Sequence, residues 1–108
     1  MADSFNIEVT KAGAGPIVKK GDMVEMNYTG KLLDGTVFDS SITRGETYKF
    51  KLGAGQVIQC WEKGVAQMSK GEKAVFTCPS TLAYGHAGIK DLIPADATLK
   101  FEVEMVNF

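Results

Sequence analysis

Aromatic side chains gather where this chain changes direction. Tyr28, Phe38, Tyr48, Trp61, Tyr84 and Phe101 stand at strand ends and loop starts. Each, taken singly, is expected in a core, because aromatics dominate the buried area of small domains. Taken together they read as a pocket. Phe38 runs into the polar Asp39-Ser40-Ser41 segment, Tyr84 lies in a long loop, and the tyrosine hydroxyls need partners. A ring-lined cavity with a few polar handles is the usual build of a small-molecule or peptide site.

Other chemistries find less support. A zinc site needs four ligands, or three and a water, and His86, Cys60 and Cys78 do not supply them convincingly. No GxxxxGK[ST] or GxGxxG run is present to cradle a nucleotide. A Ser-His-Asp triad would have to use His86, which sits in a glycine-rich loop without a nucleophile elbow; a solvated loop histidine is the better reading. Cys60 stands beside Trp61 with no neighbour in sequence to lower its pKa, which suggests a packed thiol. No metal and no cofactor are expected.

The elements that must position these rings are mostly strands. Phe5, Ile7 and Val9 alternate with polar residues, and Gly13-Ala14-Gly15-Pro16 ends that run. In the next strand Val24, Met26, Tyr28 and Leu32 share one face, and Gly30 interrupts it, so a bulge or a close backbone approach is expected there. Asp34-Gly35 marks a tight hairpin turn. Val37-Phe38 begins a return strand that breaks at the polar excursion 39–45, too rich in turn formers to be regular, and resumes at Tyr48, Phe50 and Leu52. Residues 73–78 and 98–105 alternate again, and Pro79 stops the first of these. The stretch from Pro79 to about Asp96 has no period, yet it is too apolar for disorder, which marks a functional loop. The best helical pattern lies in 57–65, where Val57, Trp61 and Val65 recur at four-residue spacing, with glycines where a helix would start and, at Gly64, stop. Such a short helix needs a surface to lie on. The sum is an α+β fold: an antiparallel sheet of five to six strands, polar outside, wrapped around one short α-helix.

The bulk numbers agree with one domain, residues 1–108. A net charge of −1 leaves no footprint for nucleic acid or an anionic membrane, and no apolar run approaches transmembrane length. Met1-Ala2-Asp3-Ser4-Phe5 lacks the basic and apolar regions of a secretory signal. Cys60 and Cys78 then read most simply as two free thiols in a reducing compartment, and the expected location is cytoplasmic.

Several runs together closely resemble the FKBP-type peptidyl-prolyl cis-trans isomerases, in order and with matching spacing over nearly the whole chain. They are Tyr28-Thr29-Gly30, Asp34-Gly35-Thr36-Val37-Phe38-Asp39-Ser40-Ser41, the run from Val57 to Met68, Ala83-Tyr84-Gly85, and the run from Ile93 to Leu99. The likeness is greatest to the small single-domain cytosolic form. It implies a strongly twisted antiparallel sheet around a short helix, with an apolar pocket between them. Trp61 would be the floor and Tyr28, Phe38, Tyr48 and Phe101 the walls. Val57, Ile58 and Ile93 would form the rim, with Ile89 also among the ligand-binding residues. Asp39 and Tyr84 would be polar handles, supported by Arg44. The catalytic set implied is Tyr28, Asp39, Trp61, Tyr84 and Phe101. The family's macrolides, tacrolimus and rapamycin, would take the same pocket, with the Val57-Ile58 backbone and the Tyr84 hydroxyl donating to ligand carbonyls. Through the drug complex the resemblance extends to calcineurin and the TOR kinase as partners, and to a monomer that assists protein folding.

The chain departs from the family pattern at three places. Cys60 stands where glycine is common and Tyr48 where phenylalanine is, and Ile89-Lys90-Asp91 replaces the typical His-Pro-Gly, so His86 does not carry over. The competing reading is a non-catalytic module that holds a proline-containing partner or a macrolide. A third is a structural domain whose aromatics are all core.

Overall fold

The structure is a computed structural model that describes residues 5–108; the reading of Met1–Ser4 as leaderless concerns residues outside that range. In chain order it contains β1 (Asn6–Lys11), β2 (Ala14–Ile17), β3 (Met23–Leu32), β4 (Val37–Ser40), α1 (Ser41–Arg44), β5 (Tyr48–Lys51), α2 (Gln59–Val65), β6 (Ser69–Lys70), β7 (Lys73–Cys78) and β8 (Leu99–Asn107). A single 3-10 turn, Ser80–Leu82, interrupts the long loop before β8.

The main sheet has six strands, ordered β1-β7-β8-β3-β4, with β5 also paired to β3; every pairing is antiparallel. The long strand β3 is its spine. One edge of β3 takes β8 along its length, from Met26↔Met105 to Leu32↔Leu99. The other edge is shared, with β5 against residues 23–26 and β4 against residues 29–31. This is the interrupted return strand that the sequence predicts. The hairpin at Asp34-Gly35 closes through Leu32 N–H to Thr36 C=O at 2.9 Å, and the Asp34 carboxylate accepts from Thr36 N–H at 2.9 Å. Gly35 sits at φ 93°, a conformation that glycine reaches without a Cβ penalty.

The sheet buries the face its alternation predicts in β3, β7 and β8, but not in the edge strand β1, where Val9 is exposed. Val24, Met26 and Tyr28 of β3, Ala74, Phe76 and Cys78 of β7, and Leu99, Phe101, Val103 and Met105 of β8 are all buried. α2 lies across this face and buries Cys60, Trp61, Gly64 and Val65. The β3–β4 pairing slips between Gly30↔Asp39 and Lys31↔Val37, which leaves Phe38 as the extra residue of a β-bulge.

Several local expectations need correction. The helix starts at Gln59, so Val57 and Ile58 precede it. Gly64 does not stop it; it lies buried within it, and a Cβ there would stand 2.6 Å from the Phe76 ring. The 39–45 excursion is partly regular: α1 is one helical turn, with the Ser40 hydroxyl accepting from Thr43 N–H and Gly45 closing it in the left-handed region. A two-stranded sheet, β2 with β6, joins through only Ala14↔Lys70 and Ile17↔Ser69, too short to leave a period.

The cysteines are also corrected. Cys60 and Cys78 are not free thiols but a disulfide, with Cα atoms 5.8 Å apart. α2 packs over the sheet so that its first turn meets the end of β7, and both residues are fully buried. The expectation of a thiol beside the pocket falls with this bond.

Candidate active site

The bulge at Phe38 shapes the site. Adjacent residues of a regular strand face opposite sides, yet Phe38 and Asp39 both line one cavity of about 440 Å³. The extra residue re-aims the strand so that a ring and a carboxylate enter together. β3 adds Tyr28, the first residue of β5 adds Tyr48, β8 adds Phe101 and the long loop adds Tyr84. Gly55, Gln56, Val57 and Ile58 close the side next to α2, and Trp61 of α2 is the floor.

The rings meet edge to face. Trp61 lies 4.7 Å from Tyr28, 5.2 Å from Phe101 and 5.6 Å from Tyr48 between ring centres, at interplanar angles of 62°, 83° and 74°. Phe38 meets Phe101 at 5.7 Å and 83°. Such contacts fix ring orientation as well as burying area. The Trp61 Nε1 is buried and has no hydrogen-bond partner. The floor therefore presents carbon to whatever enters.

On one side of the cavity the polar groups are already committed. The Tyr28 hydroxyl donates to Asp39 Oδ2 at 2.5 Å. Arg44 Nη2 donates to that hydroxyl at 2.9 Å, and Arg44 Nη1 donates to Asp39 Oδ1. The guanidinium also lies 5.6 Å from the centre of the Tyr28 ring. α1 brings Arg44 back to this point, and its Ser41 hydroxyl anchors the turn by accepting from Tyr28 N–H at 2.8 Å. Burial pushes the Tyr28 hydroxyl above the usual phenol range, and the bond to Asp39 adds to this. Tyr84 is pushed up as well, by burial first and then by the negative charge of Asp39. Arg44 is held above its ordinary value by its bonds to Tyr28 and Asp39. Among the described residues, no group of three or more His, Cys, Asp or Glu is placed to hold a metal ion.

Residues 15–106 match the family profile "FKBP-type peptidyl-prolyl cis-trans isomerase". The chain belongs to that family. It is 47% identical over 102 residues to FK506-binding protein 1 of Dictyostelium discoideum, covering 94% of this chain and 95% of that protein. It is 54% identical over 89 residues to FK506-binding protein 2 of Debaryomyces hansenii, covering 82% of this chain and 65% of that longer protein. Its fold matches the crystal structure of AtFKBP13 at a TM-score of 0.90 and 34% identity, covering 95% of this chain and 91% of the other. The isomerase class and the α+β fold follow from these matches.

Within this FKBP-type domain, Tyr28, Phe38, Asp39, Tyr48, Val57, Ile58, Trp61, Tyr84 and Phe101 come together around the cavity. Arg44 stands behind Asp39 and Tyr28 rather than in the wall. Ile89 and Ile93 pack against the same core as Trp61 and Phe101 but are not in the lining of this cavity. They bond to each other through Ile89 N–H to Ile93 C=O and the reverse, both at 2.8 Å, and line a separate cavity of about 520 Å³ with Leu32 and Leu92. Sequence reasoning missed Gly55 and Gln56. Their signal was the turn before the helix: the Gln56 side chain accepts from Lys51 N–H at 2.9 Å, which holds the segment over the pocket. Glu62 of α2 steadies the same turn by accepting from Gly53 and Gly55 N–H at 3.2 and 3.4 Å. His86 is exposed, as a loop histidine should be, with Nδ1 3.1 Å from Asp96 Oδ2.

Proposed function

We infer that this FKBP-type domain catalyses rotation about X–Pro peptide bonds in folding chains, with the substrate proline seated over Trp61. The observation that carries this reading is the carbon floor of the cavity, ringed edge-on by Tyr28, Tyr48 and Phe101, with its one carboxylate already bonded on both oxygens. Rotating a peptide bond costs about 18–20 kcal/mol because resonance is given up. At X–Pro the two isomers are close in energy, yet exchange takes tens to hundreds of seconds. No bond breaks and no proton moves, so neither base, nucleophile nor metal is needed. The planar amide is more dipolar than the twisted one, so a dry cavity raises the ground state relative to the transition state. A wall shaped for the twisted form adds differential binding. Asp39, held by Tyr28 and Arg44, and the Tyr84 hydroxyl orient the substrate carbonyls. The catalytic set on this reading is Tyr28, Asp39, Trp61, Tyr84 and Phe101.

The same cavity accommodates a macrolide whose six-membered ring imitates proline. The names of the relatives, FK506-binding proteins, support tacrolimus as a ligand, and rapamycin belongs to the same reading. The Val57-Ile58 backbone and the Tyr84 hydroxyl would donate to its carbonyls, and calcineurin or the TOR kinase would meet the drug complex. Residues 1–108 act as one domain on this reading, supported by the family match over residues 15–106, and a monomer belongs to the same reading. A cytoplasmic location requires the Cys60–Cys78 bond to withstand a reducing thiol pool, and its complete burial slows attack by any thiolate. No helix among the described residues is long and apolar enough to cross a membrane.

The deciding measurement is exchange of an X–Pro peptide with wild type and Phe101→Ala, with and without rapamycin. Wild type should accelerate exchange, rapamycin should abolish it, and the truncated ring should lower kcat/KM by about tenfold or more. A folded wild type that leaves exchange at the uncatalysed rate ends the enzyme reading. If that protein still binds rapamycin, it is a binding module.

A further inference from the structure

We propose that Gly30 is a positioning residue of this site: its missing side chain is the seat on which the Phe38 ring rests, and this seat sets the width of the pocket. The inference rests on the isomerase reading above and deepens it. Gly30 occupies an inward position of β3, in line with Val24, Met26 and Tyr28, all of which bury side chains. Its backbone is not among those with positive φ, so nothing in the chain conformation calls for glycine. Glycine within a strand also weakens it, through entropy and the lost packing. Space is the remaining reason. A Cβ at Gly30 would stand 2.7 Å from Phe38 Cζ and 2.9 Å from Phe38 Cε1, and 2.9 Å from Phe101 Cε1.

Three features converge on this point. Phe38 is the extra residue of the bulge, and that bulge begins at the pair Gly30↔Asp39. The Phe38 ring lies over the bare Cα and meets Phe101 edge to face. Both rings line the cavity. The bulge turns Phe38 inward, and the glycine lets it retreat far enough to leave room for a substrate ring. A methyl group at this position would push Phe38 several tenths of an ångström into the cavity, because Phe101, the other ring it would strike, is fully buried, while Phe38 is only half-buried and is the one that can yield. The wall would then crowd the planar and the twisted amide alike. That is a loss of uniform binding, which appears in KM rather than kcat.

The test is steady-state isomerisation of an X–Pro peptide by wild type, Gly30→Ala, Phe38→Leu and the double variant. Gly30→Ala should raise KM about tenfold with kcat little changed. A merely structural role would reduce the folded fraction, lowering apparent kcat and leaving KM alone. Leucine lacks the two Phe38 ring atoms that a methyl would strike and leaves only the 2.9 Å contact with Phe101 Cε1, so the double variant should lose most of the Gly30→Ala effect and stay within about threefold of Phe38→Leu in KM. An unchanged KM in Gly30→Ala overturns the proposal. So does a double variant whose losses multiply, and this comparison still decides if Gly30→Ala alone fails to fold. A wild type without activity would instead defeat the isomerase reading itself.

Discussion

Asp39 has neither oxygen idle. Tyr28 donates to one and Arg44 to the other, and Arg44 also donates to the Tyr28 hydroxyl. On the proposed reading, a carboxylate committed in this way orients a dipole. The tyrosines sharpen the point. Burial raises both Tyr28 and Tyr84, so the fold favours their neutral forms. The stability tied to those neutral hydroxyls is fully present below the unfolded phenol value of about 10 and is lost as pH rises through the higher folded value. We therefore expect kcat/KM to be flat from about pH 6 to about pH 9, then to fall, together with stability, above about pH 10. A bell-shaped profile with a limb near neutrality would reveal proton transfer and overturn the orienting role of Asp39. The ring-bearing positions were legible in the sequence because their residue types are costly to leave at strand ends without a purpose. Ile89 and Ile93 were not separable in that way. An isoleucine in an aperiodic loop carries no signal of what its side chain packs against; here the two backbones bridge to each other and both side chains pack against the core.

Strands announced themselves through side-chain alternation, because one face of the sheet is buried and the other is not. β3, β7 and β8 follow their pattern residue by residue. Where an element is too short to repeat, as in α1 or the β2–β6 pair, no period exists to be read. Gly64 shows a different blind spot: glycine near a helix end resembles a stop, and only the packing reveals a spacer. It lets α2 settle onto Phe76 of β7, which is fully buried. Gly64→Ala sets two effects against each other. Alanine favours a helix interior over glycine by roughly 0.8–1.0 kcal/mol. A methyl 2.6 Å from two atoms of a buried ring forces a shift, and such overpacking costs about 1–3 kcal/mol. Phe76 is enclosed and cannot swing aside, so the clash should win by about 1 kcal/mol. Urea unfolding should show a lower midpoint with the slope unchanged. A higher midpoint would mean that α2 can ride up on the sheet without loss.

At the scale of the whole molecule, one covalent link joins the two layers. Cys60 opens the helix that supplies Trp61, and Cys78 ends the strand from which the Tyr84 loop departs. Nothing in the sequence couples two cysteines 18 residues apart. Their meeting depends on α2 lying over the end of β7, which is a consequence of the finished fold. Closing a loop of this length should stabilise the fold by about 3 kcal/mol, by restricting the unfolded chain. Since neither sulfur lines the pocket, reduction should lower the unfolding free energy by that amount and leave kcat/KM of the folded protein within about twofold. Native protein should take up no alkylating reagent, and protein that has been denatured and reduced should take up two equivalents, as counted by mass spectrometry. Two equivalents on denatured but unreduced protein would show free thiols and return the chain to a fold held by packing alone. If activity collapsed on reduction while the fold survived, the bond would be holding the floor of the pocket in register with its loop, rather than merely limiting the unfolded ensemble.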